Sequence, residues 1–177
     1  MSISSPGGKL ELAAWIRDHV KGNVLRVLDV GAGKGWMLQR MKKFGVLVDA
    51  HWIGIEAWAP FVKEFSLAKY YDEVIVCDVR FFDWAKRAPF DIVFLGDVLE
   101  HMPEDDAVDV LASAKRAARF VVAAFPVEDI LSAGNENPFD NHVVNCIPLE
   151  QARALFGEPI WSWHDQTGVF VYEGEIR

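Results

Sequence analysis

The sequence predicts an α/β domain built around an open, mostly parallel sheet with helices on both faces. Three observations predict it. Short runs rich in Val and Ile alternate with longer segments of helical period, a glycine-rich turn follows the first such run, and the last two runs are joined by a turn containing Gly168. The expected strands are 24–30, 51–55, 73–77, 90–95 and 120–125, with a closing hairpin at 160–164 and 169–173. Residues 1–22 are expected to carry an N-terminal helix. A second helix runs over 34–44 and stops at Gly45, and a third starts with Pro60 at its first helical position and continues to about Tyr71. The next follows Pro103, with Glu104, Asp105 and Asp106 in its first turn and Lys115, Arg116 and Arg119 at its end, as the helix dipole favours. The last covers 148–156 and is closed by Gly157. Strand and helix in strict succession require right-handed crossovers, hence three α/β/α layers.

Composition bounds what such a domain can be. The chain has 177 residues, 51% of them hydrophobic and 25% charged, which excludes a disordered chain and suits one domain over 1–177. No apolar run approaches the roughly 18 residues that a membrane span needs. Eighteen basic against twenty-six acidic residues give a net charge of −8, which works against attraction to phosphate backbones. Cys77 and Cys146 are too few for a disulfide framework, and the polar N-terminus shows no signal peptide, so a reducing cytoplasm is expected.

The most informative stretch is Val27-Leu28-Asp29-Val30-Gly31-Ala32-Gly33-Lys34-Gly35, a strand running into a glycine turn that opens a helix. Ligands of open parallel sheets bind beyond the carboxyl ends of the strands, where glycines let them approach the backbone. A dinucleotide fingerprint needs a small residue three positions after Gly33, where Trp36 stands. A phosphate loop needs Ser or Thr after Lys34, where Gly35 stands. The pattern that fits is Asp29-x-Gly31-x-Gly33-x-Gly35, and acids follow at the ends of the next three strands: Glu56, Asp78 and Asp97.

This series resembles the class I S-adenosylmethionine-dependent methyltransferases, from residue 24 through the closing hairpin. The resemblance implies a Rossmann-like methyltransferase fold with a seven-stranded sheet whose C-terminal hairpin strand is antiparallel. It implies S-adenosyl-L-methionine as cofactor, in contact with Asp29, Gly31, Ala32, Gly33, Gly35, Glu56, Ala57, Asp78, Val79, Gly96 and Asp97. Glu56 would accept hydrogen bonds from the ribose hydroxyls. Asp78 and the Val79 backbone would read adenine, with Phe81 or Phe82 on the ring face. Carbonyls at Gly31 and at Gly96 or Asp97 would hold the methionine ammonium. Candidate catalytic residues in the mouth are Asp97, His101 and, from the long segment 126–147, His142. Some branches of the family hold a divalent metal in this region, and Asp97, Glu100, His101 and His142 resemble such a cluster. The Leu99-Glu100-His101 stretch is equally common in members without metal, and no metal ligand is assigned.

The acceptor is narrowed by exclusion. Gly96-Asp97-Val98-Leu99 lacks the proline pair and aromatic of DNA amino-methyltransferases. The last lysine, Lys115, comes too early for the tetrad of many RNA ribose methyltransferases, and Cys77 is misplaced for a cytosine nucleophile. Asp29, Glu56, Asp78, Asp97, Glu100, Glu104, Asp105, Glu128, Asp129, Glu136 and Asp140 are expected at the mouth. Lys42, Lys43, Lys86, Arg87, Lys115, Arg116 and Arg119 belong at the opposite edge. An acidic mouth favours a small neutral or cationic molecule, then a protein side chain, over nucleic acid. Segment 126–147 is expected to be an acceptor lid carrying Phe139, Asn141 and His142, while Trp36, Trp58, Trp161 and Trp163 are assigned to the core or to helix faces. Two alternatives stay open: a non-catalytic partner subunit with the same fold, and a metal-assisted enzyme acting on an RNA end or quinone-like hydroxyl.

Overall fold

The computed structural model describes residues 7–22, 25–129 and 137–176. Seven strands form one sheet in the order β3-β2-β1-β4-β5-β7-β6. They are β1 Arg26–Val30, β2 His51–Glu56, β3 Glu73–Val76, β4 Phe90–Gly96, β5 Ala118–Pro126, β6 Trp161–His164 and β7 Thr167–Glu173. The first five run parallel, and β7 pairs antiparallel with both β5 and β6. The sequence therefore returns to the sheet on both sides of β1, and the order reverses between β1 and β4. A crevice opens where crossovers leave in opposite directions, which is where ligands of such sheets bind.

The inner strands are buried on both faces, so they read as continuous apolar runs. Alternation sorts them between two cores. Leu28, Val30, Val93 and Leu95 face Val110, Leu111 and Ala114 of α5 (Glu104–Ala117) and Ala152 and Phe156 of α6 (Leu149–Phe156). Val27, Trp52, Ile92 and Phe94 face Leu12 and Ile16 of α1 (Lys9–His19) and Met37, Leu38 and Met41 of α2 (Trp36–Lys43). Asp29, one period-2 step from Val27, thus points into the α1/α2 layer.

Several boundaries differ from the sequence reading for local reasons. Strand β1 begins at Arg26, and Val24 lies outside the described residues. Gly35 has φ 71°, so α2 starts two residues later than expected, at Trp36, and Lys34 belongs to the turn. The helix expected from Pro60 to Tyr71 is two pieces: α3 (Ala59–Glu64) and a 3₁₀ turn at Leu67–Lys69, parted by Ser66 in the left-handed region at φ 52°. That break returns the chain so that Tyr71 lies over Gly54 of β2. A four-residue helix, α4 (Trp84–Arg87), is too short to show periodicity; its N-cap Asp83 accepts a hydrogen bond from the Lys86 N–H at 3.1 Å. Among the described residues no helix is long and apolar enough to cross a membrane.

Gly174, just past β7, is held against the start of β5, where its N–H donates to the Arg119 carbonyl at 2.7 Å. A Cβ there would sit 1.9 Å from the Ala118 carbonyl oxygen. Gly174→Ala is expected to lower stability by about 2–3 kcal/mol, read as a shifted urea midpoint, because backbone on both sides must part.

Candidate active site

The carboxyl ends of β1, β2 and β4 carry the acids that the sequence singles out. After β1 the chain turns through Gly31 at φ 68°, Gly33 at φ 48° and Gly35 at φ 71°, a left-handed path that side chains disfavour. At Gly31 space is also short: a Cβ would meet Val98 Cγ2 at 2.7 Å. The loop is tied to β2 by Glu56. One carboxylate oxygen accepts from the Gly33 N–H at 2.9 Å and the other from the Trp58 N–H at 2.8 Å. Burial pushes the Glu56 carboxyl up from its ordinary range while those backbone donors pull it down. The side chain still has lone pairs for a ligand.

Asp29 is fully enclosed, and burial pushes its carboxyl up to about 7 against the opposing pull of the Tyr71 hydroxyl and Lys9. The Tyr71 hydroxyl donates to it at 2.5 Å, which the sequence did not disclose because 42 residues separate the two. Lys9 was also missed. It is the first residue of α1 and only 2% exposed, in the fields of Asp97, Asp29 and Glu100 with Arg40 opposing; burial lowers its pKa while the three acids raise it. A lone lysine at the start of an amphipathic helix carries no local signal of burial.

Asp97 follows β4 with φ 54°, fixed by its N–H donating to the Ala124 carbonyl at 2.8 Å. Asp78 is held differently. Its carboxylate accepts from the Arg80 N–H at 3.0 Å and from the guanidinium at 2.6 Å, which keeps it below the usual carboxylate range. Arg80 bridges on to Asp106 at 3.2 Å. Of the two phenylalanines expected near adenine, Phe82 is packed in the core and Phe81 is 81% exposed.

Two adjacent cavities open at this edge. The larger, about 540 Å³, has Asp29, Gly31, Ala32, Gly33, Gly96 and Asp97 from the strand ends, and Lys34, Trp36, Met37, Trp58, Phe61 and Phe65 from α2, α3 and the loops that enter them. The smaller, about 130 Å³, includes Glu56, Ala57, Asp78, Val79, Val98 and His101. Gly31, Gly33, Phe61, Asp97, Asn137 and Asp140 border both. Gly35 borders neither and serves as the N-cap of α2. Trp36 and Trp58, assigned by sequence to core or helix face, instead line the larger cavity, because the glycine turn aims α2 and the Glu56 contact aims α3 toward it.

The segment from 137 docks beside Glu100: the N–H groups of Val143 and Val144 donate to its carbonyl at 2.9 and 3.2 Å. This brings His142 against His101, ring centroids 4.8 Å apart and nearly perpendicular. Ligand atoms of Glu100, His101 and His142 lie within 4.8 Å of one another; Asp97 is not part of this group. Glu100 Oε2, His101 Nδ1 and His142 Nδ1 are the buried side-chain polar atoms left without a hydrogen-bond partner among the described residues. Burial lowers the His101 pKa, opposed by the Asn141 backbone and reinforced by His142, and burial raises Glu100 well above the ordinary carboxyl range. Residues 130–136 of the expected lid, with Glu136, lie outside the described residues.

One consequence concerns pH. Because Asp29 binds its proton more tightly folded, near 7, than unfolded, near 3.8, its contribution is fully present below the unfolded value and is lost as pH rises through about 7. The stability slope between pH 4 and 7 is therefore expected to flatten in Asp29→Asn, measured by urea unfolding across that window. An unchanged slope would show that Asp29 titrates normally.

The comparisons with known proteins agree with this geometry. The family model described as a methyltransferase domain matches residues 27–120, from β1 into β5. No curated protein matches the chain in sequence. Among solved structures, the N-terminal domain of EvdMO1 with SAH bound aligns with a TM-score of 0.67 at 14% identity, covering 94% of this chain and 81% of that one. The magnesium protoporphyrin IX methyltransferase ChlM from Synechocystis PCC 6803, with bound SAM, aligns at 0.66 and 14% identity, covering 92% and 76%. The PH0226 protein from Pyrococcus horikoshii OT3 aligns at 0.65 and 16% identity, covering 93% and 88%. With the glycine loop, the strand-end acids and a family match over more than half its length, the chain belongs to the methyltransferase domain family, in its class I, S-adenosylmethionine-dependent form.

Proposed function

We propose that the protein transfers the methyl group of S-adenosyl-L-methionine to a small-molecule acceptor. The observation that carries this is the glycine cradle beneath the paired cavities: at Gly31 a Cβ would close the space toward Val98, while Glu56 holds the Gly33 backbone open to a ligand. Similar structures hold SAM or SAH, and one of them was crystallised in the presence of D-fucose while another is named for a porphyrin. The cofactor supplies an activated sulfonium methyl, so alignment is the protein's main contribution and can account for about 7–11 kcal/mol of the barrier.

In this reading Glu56 turns its remaining lone pairs to the ribose hydroxyls, with Ala57 beside it. Val79 offers its backbone N–H to adenine, and the Asp78 carboxylate, which also accepts from Arg80, accepts from the exocyclic amine. Carbonyls at Gly31 and at Gly96 or Asp97 accept from the methionine ammonium, and Asp29, Ala32, Gly33 and Gly35 shape the loop. Asp97 and His101 border the cavities where an acceptor proton would leave, with His142 behind His101. Burial holds His101 toward its neutral, proton-accepting form.

Calorimetric titration with S-adenosyl-L-methionine tests the site. Glu56→Gln is expected to weaken binding at least about tenfold, since a carboxylate accepting from two hydroxyls is replaced by an amide that accepts with one oxygen. Undiminished affinity would remove Glu56 from the cofactor site.

A second reading is favoured by the three orphaned atoms of Glu100, His101 and His142. Two imidazoles and a carboxylate suit a divalent transition ion and leave coordination positions open. A bound ion would supply Lewis-acid polarisation of an acceptor oxygen, such as a hydroxyl at an RNA end or on a quinone-like ring. Cobalt(II) absorption and the metal content of the purified protein test it: near-stoichiometric metal, lost in His142→Ala, is expected. Equal trace metal in both proteins would leave the cluster as a pair of packed histidines over a protonated acid.

A further inference from the structure

The larger cavity has a wall that cofactor binding leaves unexplained. Lys34, Trp36, Trp58, Phe61, Glu64 and Phe65 come from the end of the glycine loop, the start of α2 and the region of α3. None of them belongs to the ribose or adenine contacts assigned above. Two of the rings already receive a cation: the Lys34 ammonium lies 5.5 Å from the Trp36 ring centroid and 5.4 Å from that of Phe65, and the Arg40 guanidinium lies 5.4 Å from the Trp36 centroid as well, which leaves Phe65 as the ring that Lys34 alone covers. An aromatic face attracts an ammonium through its quadrupole, and paired faces are the usual cage for organic cations.

Charge around the wall selects in the same direction. Glu64, Asp97 and Asp140 line this cavity, together with Asp29, whose burial favours its neutral form, whereas Lys34 is the one basic residue among the described lining residues. An anion entering would face those carboxyls, and a neutral molecule would gain only from the rings. An organic cation gains from both. At about 540 Å³ the cavity lies within the roughly 300–1,000 Å³ range of small-molecule sites, and the acceptor would share it with the methionine end of the cofactor at Gly31, Gly96 and Asp97.

We propose that this compartment takes the methyl acceptor, an organic amine that enters as its ammonium against Trp36, Trp58 and Phe65 and displaces Lys34 from the rings it covers. The inference rests on the methyl-transfer reading and adds the class of acceptor to it. The chemistry balances without a further reagent. The ammonium loses a proton by way of Asp97 to solvent, and the nitrogen lone pair forms a bond to the sulfonium methyl carbon. The carbon–sulfur bond breaks with its electron pair to sulfur, leaving S-adenosylhomocysteine and an N-methylated ammonium. Lys34 then returns to the rings as product leaves.

Calorimetry on protein saturated with S-adenosylhomocysteine tests the proposal with three probes that share one ring system: tryptamine, tryptophol and indole-3-propionate. Tryptamine is expected to bind about tenfold tighter than tryptophol, with indole-3-propionate weakest. Glu64→Gln should weaken tryptamine and leave tryptophol unaffected, and Phe65→Leu should weaken both. Lys34→Met gives the sharpest sign: with Phe65 freed of its cation and Arg40 left over Trp36, tryptamine should bind tighter, by about threefold or more. Equal affinity for tryptamine and tryptophol, tightest binding of indole-3-propionate, no binding of any probe, or weaker tryptamine binding in Lys34→Met would each overturn it. The titration of each variant with S-adenosylhomocysteine reports separately whether its fold and cofactor site survive. Failure of the wild-type protein to bind S-adenosylhomocysteine would count against the cofactor assignment instead. The probes would then be titrated into the free protein, where the same order is expected.

Discussion

Glu56 holds the glycine loop after β1 to the turn after β2 through two backbone hydrogen bonds, and the shape of the site follows from that one carboxylate. Its bond to Gly33 sets the path of the loop, and its bond to Trp58 sets the entry to α3. The rings of Trp58, Phe61 and Phe65 thereby come to border a cavity whose other side is the loop itself. A backbone donor inside a protein must find an acceptor. Here the acceptor is a side chain that also borders the smaller cavity, so one group ties together the segments that frame both cavities.

Around this tie the protein tolerates several buried ionisable groups in a small volume. Asp29, Glu56, Glu100 and Lys9 are all nearly inaccessible, and each has its pKa moved in the direction that burial alone would move it. A buried ion costs several kcal/mol when unpaired, so such a group persists where partners offset the cost or where the neutral form suffices. Asp29 has the Tyr71 hydroxyl, Glu56 has the backbone, and Lys9 lies in the field of three acids. Glu100 has the weakest compensation, with one carboxyl oxygen unpartnered beside two histidines in the same condition. Strain of this kind accumulates where a fold reserves polar groups for a ligand.

The sheet explains why these groups converge. Its order reverses between β1 and β4, so the crossovers diverge and leave the ends of β1, β2 and β4 uncovered. The antiparallel β7 covers the side of β5 away from β4, and the segment from 137 returns to Glu100, in the turn after β4, by two hydrogen bonds. The site is thus bounded by elements distant in sequence, from α1 at the start to the segment before α6, around strand ends that are near in space.

The alternation of Val- and Ile-rich runs with helical segments determined the layers and the parallel order up to β5, because apolar periodicity is a local property of the chain. The Asp29 to Gly35 pattern and the acids Glu56, Asp78 and Asp97 were likewise legible, since strand ends and glycine turns leave short-range signatures. Tertiary structure alone decided what those residues meet. Tyr71 reaches Asp29 across 42 positions, Lys9 sinks among three acids, and Arg80 links Asp78 to Asp106, 26 positions further on. Trp36 and Trp58 turn from the expected core to a cavity wall, and His142 joins His101 while Asp97 does not. These are contacts between side chains brought together by the crossovers and by two left-handed residues, Gly35 and Ser66, whose effect on direction no hydrophobic period records. Sequence determined at which strand ends the cavities open; packing decided which groups line them, because burial and long-range pairing exist only once the sheet has formed.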